Sequence, residues 1–400
     1  MNILIATIYS FPQMGGLGSY IRQLADGLQQ RGHSVEILAC SPDFSGYYTI
    51  TDKKLILTSA ICTQSFYESH PEVAPGRTTV TEWIKGRELE RLTFQAAAAS
   101  FNLAGYDLIH TQDVIATRAM MGVAGGSIPI VQTIHGSFTH QLTLEHSTSI
   151  RNTDIWRYAV ELERVSVESS VMTLLPSRWM KNLLATHAGA PVDKMHVVPN
   201  GIDVDAFRGS IGEQPRAKTK VIACVGHLTK LKGQQYLLRA LSTLAKRRAE
   251  WECWFIGDGP DRVSLESLSM SLGLNERVRF LGRRTDIPAL LGQSDVVALP
   301  SLMENCPYSV IEAQVAGKVV IASAVGGVPE MIEHGKTGFL VPARDARALS
   351  ATLLNVLDDE GLRRQIRANC ELQSYHRWST QTMVNRVHRL YSTAFPGGFS

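Results

Sequence analysis

Glu304 and Glu312 stand with seven residues between them, in a segment that passes from an apolar run through Glu304-Asn305-Cys306-Pro307-Tyr308-Ser309 into an amphipathic one. Pro307 marks the start of a helix, because a first turn needs no N–H there. Glu304 then lies in the preceding loop and Glu312 on the helix. One carboxylate can reach sugar hydroxyls and the other ribose hydroxyls, while the amides of Tyr308 and Ser309 face a phosphate. Taken alone, a glutamate in the place of Glu312 is more often an exposed helix residue.

A second charged loop is Gly226-His227-Leu228-Thr229-Lys230-Leu231-Lys232-Gly233, again between a strand pattern and a helix pattern. Lys232 or Lys230 could hold a diphosphate through charge-assisted hydrogen bonds of about 1.5 to 3 kcal/mol each, or both could be solvated loop charges. The order GxxxxGK[ST] is absent, so this is not a P-loop. Gly15 and Gly16, in Met14-Gly15-Gly16-Leu17-Gly18, occupy the matching place after the first strand. Glycines there let the backbone approach a phosphate or sugar, although a glycine turn is also the plain way to join strand to helix. Val325-Gly326-Gly327-Val328-Pro329-Glu330 is another glycine-lined strand exit, and His135, in Thr133-Ile134-His135-Gly136, sits where a strand ends. Arg283 and Arg284 lie in a loop that could approach a nucleotide base.

These residues need elements to hold them. Short apolar runs alternate with longer amphipathic stretches, the pattern of βα units and a parallel sheet, and the pattern occurs twice. In the first half the expected strands are 3–8, 34–39, 107–110, 130–134, 171–174 and 196–198, with a helix over 18–30. In the second half they are 220–225, 254–256, 278–281, 296–299 and 319–322. The turn Pro199-Asn200-Gly201-Ile202-Asp203 and the polar run Gly209–Thr219 place a linker near 200–215, and apolar spacing from Trp378 to Ala394 predicts a last helix that could cross back to the first domain.

Four hundred residues exceed what one core usually serves, since chains beyond roughly 250 to 300 residues tend to split. Residues 1–200 hold 15 Lys+Arg against 17 Asp+Glu, and residues 201–400 hold 25 against 20, an excess that suits a small anionic ligand in the second half or merely solvated helix faces. No basic block is dense enough for nucleic acid. Six cysteines occur without a CxxC pair, which suggests neither zinc nor disulfides and fits a reducing compartment. No signal peptide or apolar run of about 18 residues is evident, so the expectation is a cytoplasmic protein, with peripheral contact at the inner face of the membrane left open.

Together, in this order and on two consecutive halves, these loops resemble the family-4 retaining glycosyltransferases of the GT-B fold. The resemblance rests on the EX7E element from Glu304 to Glu312, Lys232-Gly233, Gly257-Asp258-Gly259-Pro260, Gly326 to Glu330 and Pro199 to Asp203. It implies an α/β protein of two Rossmann-like domains whose parallel sheets face a central cleft: 1–205 binding the acceptor, 206–375 binding the donor, and 376–400 forming a helix that returns to the first domain. The implied activity is transfer of a hexosyl group, without metal and with retention, from a nucleotide-diphosphate sugar to a hydroxyl in glycan, glycolipid or glycoside biosynthesis. The nucleotide-sugar is a co-substrate rather than a cofactor, with a UDP-sugar favoured over a GDP-sugar, and the acceptor is a glycan, a lipid-linked sugar or a small molecule.

The resemblance also assigns roles by position. Glu312 would hold the ribose, Lys232 the diphosphate, Tyr308 and Ser309 the distal phosphate, and Glu304 the donor sugar. Gly15 and Gly16 would close the donor site from the opposite domain, His135 would look onto the sugar, and His227, Arg283 and Asn305 would complete the donor contacts. Two departures stand out: His227 replaces the family's usual arginine, and Cys306 replaces its usual aromatic. Three competing readings are a metal-dependent transferase using Asp203-Val204-Asp205, a nucleotide-sugar epimerase or hydrolase on the same fold, and a non-catalytic nucleotide-sugar binder.

Overall fold

The computed structural model describes residues 1–75, 81–146, 148–212 and 219–395. Positions 213–218 of the expected linker and 396–400 of the expected C-terminal segment lie outside the described residues. The chain divides into two compact units, residues 1–199 together with the segment from Met383, and residues 200–382. Both carry a mainly parallel sheet with helices in the connections, a Rossmann-like α/β architecture.

The strands of the first unit are β1 (Asn2–Ser10), β2 (Ser34–Cys40), β3 (Gly46–Thr49), β4 (Leu55–Leu57), β5 (Leu108–Thr111), β6 (Ile130–Thr133), β7 (Met172–Leu175) and β8 (Met195–Val197). They lie in the order β4-β3-β2-β1-β5-β6-β7-β8. All neighbours are parallel except β2 with β3 and β3 with β4, an antiparallel edge outside the predicted βα pattern. Strand β1 is almost wholly buried because side chains on both faces meet helices, which is why it reads as a continuous apolar run. Helix Gly16–Gln29 buries Tyr20, Ile21, Leu24 and Leu28, one stripe at helical spacing.

The second unit has β9 (Lys220–Val225), β10 (Trp251–Ile256), β11 (Val278–Gly282), β12 (Val296–Leu299), β13 (Val319–Ser323) and β14 (Phe339–Val341), ordered β11-β10-β9-β12-β13-β14 and all parallel. Its core joins Ile222, Cys224, Phe255, Val296 and Ile321 from the sheet to Leu237, Leu241, Leu353 and Val356 from the helices. All six cysteines are free thiols.

Each sheet has a point where the strand order reverses. In the first it falls between β1 and β5, in the second between β9 and β12. Loops leaving adjacent strands at such a point diverge to opposite faces and open a crevice at the carboxyl ends, where ligands bind in open α/β sheets. Gly15, Gly16 and Gln112 follow the first pair of strands, and Lys232 and Glu304 follow the second.

The last helix is Thr380–Ala394, and Trp378 closes the preceding helix, where its Nε1 donates to Gln314 Oε1 at 2.6 Å. Met383, Val384, Val387 and Tyr391 are buried, with Val384 seated on Gly27 so closely that a Cβ there would fall 2.5 Å from its Cγ2.

Burial drives the imidazole of His110 down to about 3 and that of His135 to about 4. Between those values and the ordinary histidine value, the unfolded chain binds more protons than the folded one. The contribution of these residues is therefore complete above about pH 6.5 and falls on acidification, by up to about 1.4 kcal/mol per pH unit for each. His110→Gln is expected to melt below the wild type at pH 7.5 by a margin that shrinks towards pH 5. A margin that stays constant or widens in scanning calorimetry contradicts a neutral buried imidazole.

Candidate active site

The two loops at the reversal point of the second sheet meet in an ion pair. Lys232 ends a short 3-10 turn, Lys230–Lys232, and its Nζ lies 2.7 Å from Glu304 Oε1. Gly233 follows at φ 65°, with its Cα so near Pro300 that a Cβ would fall 2.2 Å from that carbonyl oxygen. The two loops are also joined by Leu302 N–H donating to Leu231 O at 2.8 Å. Glu304 is only 7% exposed, and Oε1 accepts a second bond, from Ser301 Oγ at 2.7 Å. Its Oε2 takes no hydrogen bond from a described residue, and Lys232 uses one of its three N–H donors. A buried carboxylate with a free oxygen beside an ammonium with two free donors suits a ligand carrying both hydroxyls and negative charge.

The Glu304 loop is set by backbone contacts as well. Gly327 N–H donates to Glu304 O at 3.2 Å, and a Cβ on Gly326, at φ 56°, would fall 1.8 Å from that oxygen. Asn200 Nδ2 donates to Cys306 O at 2.8 Å. Cys306 is buried, which pushes its thiol up to about 12 and leaves it an inert apolar filler.

Pro307 then caps helix Tyr308–Val315 without a capping side chain. The helix's own bonds begin with Val310 and Ile311 N–H to Pro307 O, at 3.2 and 3.4 Å, so its positive end lies at Tyr308 and Ser309. Asn305 and Ser309 are half-buried and Tyr308 is buried. Glu312 is half-buried, makes no side-chain hydrogen bond among the described residues, and is raised to about 7 by burial. A carboxylate held close to neutrality in this way gains most from a ligand that donates hydrogen bonds to its charged form.

His227 is exposed, and its main-chain oxygen is fixed by Gln234 Nε2 at 2.9 Å. Asp258 and Gly259 pack under the same loop: Leu228 N–H donates to Asp258 O at 3.1 Å. Arg283 is exposed beyond β11, which is separated from β9 by β10, and the structure does not join it to the Lys232–Glu304 pair; Arg284 beside it pairs with Asp286 at 2.6 Å.

Gly15, Gly16 and His135 belong to the first unit. Gly15 is at φ 119° and begins helix Gly16–Gln29 without a capping side chain. Tyr20 on that helix meets the His135 ring edge to face, with centroids 4.6 Å apart, and His135 Nε2 lies 3.2 Å from Gln112 Oε1. In the sequence no role attaches to Ser301, Gln112 or Tyr20, and Asn200 has a place only in the linker turn; of these, Ser301, a hydroxyl between strand end and Glu304, carries a local signal. Asp203 accepts from Ala206 N–H at 2.9 Å and so caps helix Val204–Gly209. No helix among the described residues is long and apolar enough to cross a membrane.

With the architecture and the site in place, the relatives fall into one group. Residues 14–206 match Glycosyltransferase Family 4 and residues 210–373 match Glycosyl transferases group 1. The chain belongs to the family-4 glycosyltransferases, with a GT-B fold. It is 26% identical to an MMP alpha-(1->4)-mannosyltransferase of Mycolicibacterium hassiacum, over 98% of both chains, and 26% identical to a phosphatidyl-myo-inositol mannosyltransferase of Mycobacterium leprae, over 100% of this chain and 98% of that one. Among solved structures, Anabaena Alr3699/HepE in complex with UDP-glucose is 21% identical, covers 98% of this chain and 99% of its own, and superposes with a TM-score of 0.71.

If Glu312 accepts hydrogen bonds from a ribose, nucleoside diphosphate affinity rises with pH through about 7, as the carboxyl ionises. Calorimetric titration of UDP from pH 6 to 8 is expected to show this rise in the wild type and to lose it in Glu312→Gln. A wild-type curve parallel to that of Glu312→Gln contradicts the assignment.

Proposed function

We propose that the protein is a retaining, metal-independent glycosyltransferase that moves a hexosyl group from a nucleoside-diphosphate sugar to a hydroxyl acceptor. The observation carrying this reading is the Lys232–Glu304 pair, with Glu304 four residues before the N-terminus of helix Tyr308–Val315. Breaking the bond between the anomeric carbon and the diphosphate oxygen leaves its electron pair on the diphosphate and oxocarbenium-like charge on the sugar. Catalysis then depends on stabilising the leaving group. Lys232 offers fixed positive charge, and the amides of Tyr308 and Ser309 offer dipoles that need no reorganisation.

Glu304 Oε2 accepts from a sugar hydroxyl, Glu312 holds the ribose, and Asn305 adds a polar contact. His227 donates to the diphosphate, in the place where the family resemblance implies an arginine. Gly15 and Gly16 let backbone approach the donor, and neutral His135 faces the sugar as a hydrogen-bond partner rather than a base, because burial holds it near 4. The acceptor oxygen attacks the face from which the diphosphate leaves, and its proton passes to a departing phosphate oxygen. UDP is the preferred nucleotide, in keeping with the UDP-glucose bound by Anabaena HepE; Arg283 remains the candidate contact for the base. The acceptor is a glycan, a lipid-linked sugar or a small molecule.

Lys232→Ala is expected to lower turnover about 10-fold to over 100-fold through loss of one charge-assisted contact. Wild-type rates from that variant remove the diphosphate role. Transfer assayed over a panel of UDP- and GDP-hexoses in excess EDTA is expected to proceed at the full rate, and the product's anomeric coupling to match the donor's. Abolition rescued by manganese, or an inverted product, overturns the reading, and fast nucleotide release without acceptor points to an epimerase or hydrolase. His227→Arg is expected to keep or raise UDP affinity, since a guanidinium brings a permanent charge to the diphosphate; weaker binding means that the pocket is shaped around histidine.

A further inference from the structure

Two buried groups of the first unit take no part in the reaction above, yet Tyr20 and Gln112, which touch His135, lead back to them. Tyr391, on the last helix, has its hydroxyl 2.6 Å from His110 Nδ1, a residue 281 positions earlier. His110 Nε2 lies 2.8 Å from Thr133 Oγ1, and Thr133 Oγ1 lies 3.2 Å from the hydroxyl of Tyr20. Tyr20, His110 and Tyr391 are at most 1% exposed and Thr133 2%, so water does not compete. The chain ends at the ring contact of Tyr20 with His135. On the other side, Gln112 Nε2 donates to the main-chain oxygen of His110 at 3.4 Å, which turns Gln112 Oε1 towards His135 Nε2.

Chemistry orders this chain. His110 is neutral, so one nitrogen accepts and the other donates. A phenol is more acidic than an imidazole N–H and an imidazole nitrogen more basic than a phenol oxygen, so Tyr391 donates to Nδ1. Nε2–H then donates to Thr133, whose own proton goes to Tyr20. Either order leaves one terminal phenol proton without an acceptor, that of Tyr20 or that of Tyr391, so the acidity of the phenol as donor to the imidazole sets the direction. Gln112 Oε1 accepts from His135 Nε2–H, which sets the tautomer of that ring.

We infer that Tyr391 and Tyr20 are positioning residues for His135: the last helix supplies the first donor of a buried hydrogen-bond chain, through His110 and Thr133, that fixes the orientation of the His135 ring. The inference rests on the proposed role of His135 for its effect on rate, but not for its effect on the ring.

The test uses the full chain with histidine ring nitrogens labelled with 15N. In the wild type, His110 is expected to carry its proton on Nε2; a proton on Nδ1 overturns the inference. In Tyr391→Phe and in Tyr20→Phe, the ring nitrogen resonances of His135 are expected to shift, and kcat to fall about 3- to 10-fold, the size of one lost neutral hydrogen bond, with UDP affinity unchanged. The same substitution in a His135→Ala background is expected to add no further loss of kcat. Folded variants with unchanged His135 resonances overturn the inference, and Tyr20→Phe decides it if Tyr391→Phe does not fold. Wild-type turnover in His135→Ala alone refutes the role of His135 in transfer, while the resonance shifts still decide the positioning chain.

Discussion

The site depends on one constraint: a carboxylate that is 7% exposed has to be held charged beside a lysine at a loop crossing. Burying such a group is unfavourable unless partners replace the water it loses, and removing one partner leaves the other uncompensated. Glu304 has two partners on a single oxygen, Lys232 and Ser301, while its second oxygen takes no bond from a described residue. That asymmetry makes the pair a receptor rather than a closed salt bridge. A ligand hydroxyl can complete Glu304 while a ligand anion completes Lys232, and neither has to break the contact already present.

The sheet makes the crossing possible. Because β9 and β12 are neighbours although β10 and β11 lie between them in sequence, their exit loops meet at the carboxyl edge. Glycine then removes the volume that would keep loops apart: a Cβ on Gly233, after β9, would fall 2.2 Å from Pro300 O, and one on Gly326, after β13, 1.8 Å from Glu304 O. The first unit repeats the arrangement with different chemistry. Its reversal point presents Gly15, Gly16 and Gln112, and its histidine is kept neutral by burial, so it offers hydrogen bonds in place of charge.

The parts of this that were legible in the sequence are those whose cause is local. Strands β9 and β12 are buried on both faces and appear as apolar runs, and spacing alone can place Lys232 and Glu304 in loops and Glu312 on the helix that follows. Short or exposed elements were harder to see. Strand β4 is three residues long with Leu55 and Leu57 exposed, so no core-facing alternation marks it, and β10 begins at Trp251 rather than Trp254 because the half-buried Glu252 interrupts its apolar run. Least legible were partners supplied from a distance. Asn200 reaches Cys306 across 106 positions and Tyr391 reaches His110 across 281, and no periodicity records a hydrogen bond between segments that only the tertiary fold brings together.

The central claim is that diphosphate charge is met by Lys232 and the amides at Tyr308 and Ser309. Its most direct test is a crystal structure of the protein grown in EDTA with an intact or non-hydrolysable nucleoside-diphosphate sugar. The account predicts phosphate oxygens within about 2.7 to 3.2 Å of Lys232 Nζ and of at least one of those amides, with ribose hydroxyls on Glu312. A diphosphate bound elsewhere, or held through a metal ion with Lys232 turned away, contradicts it.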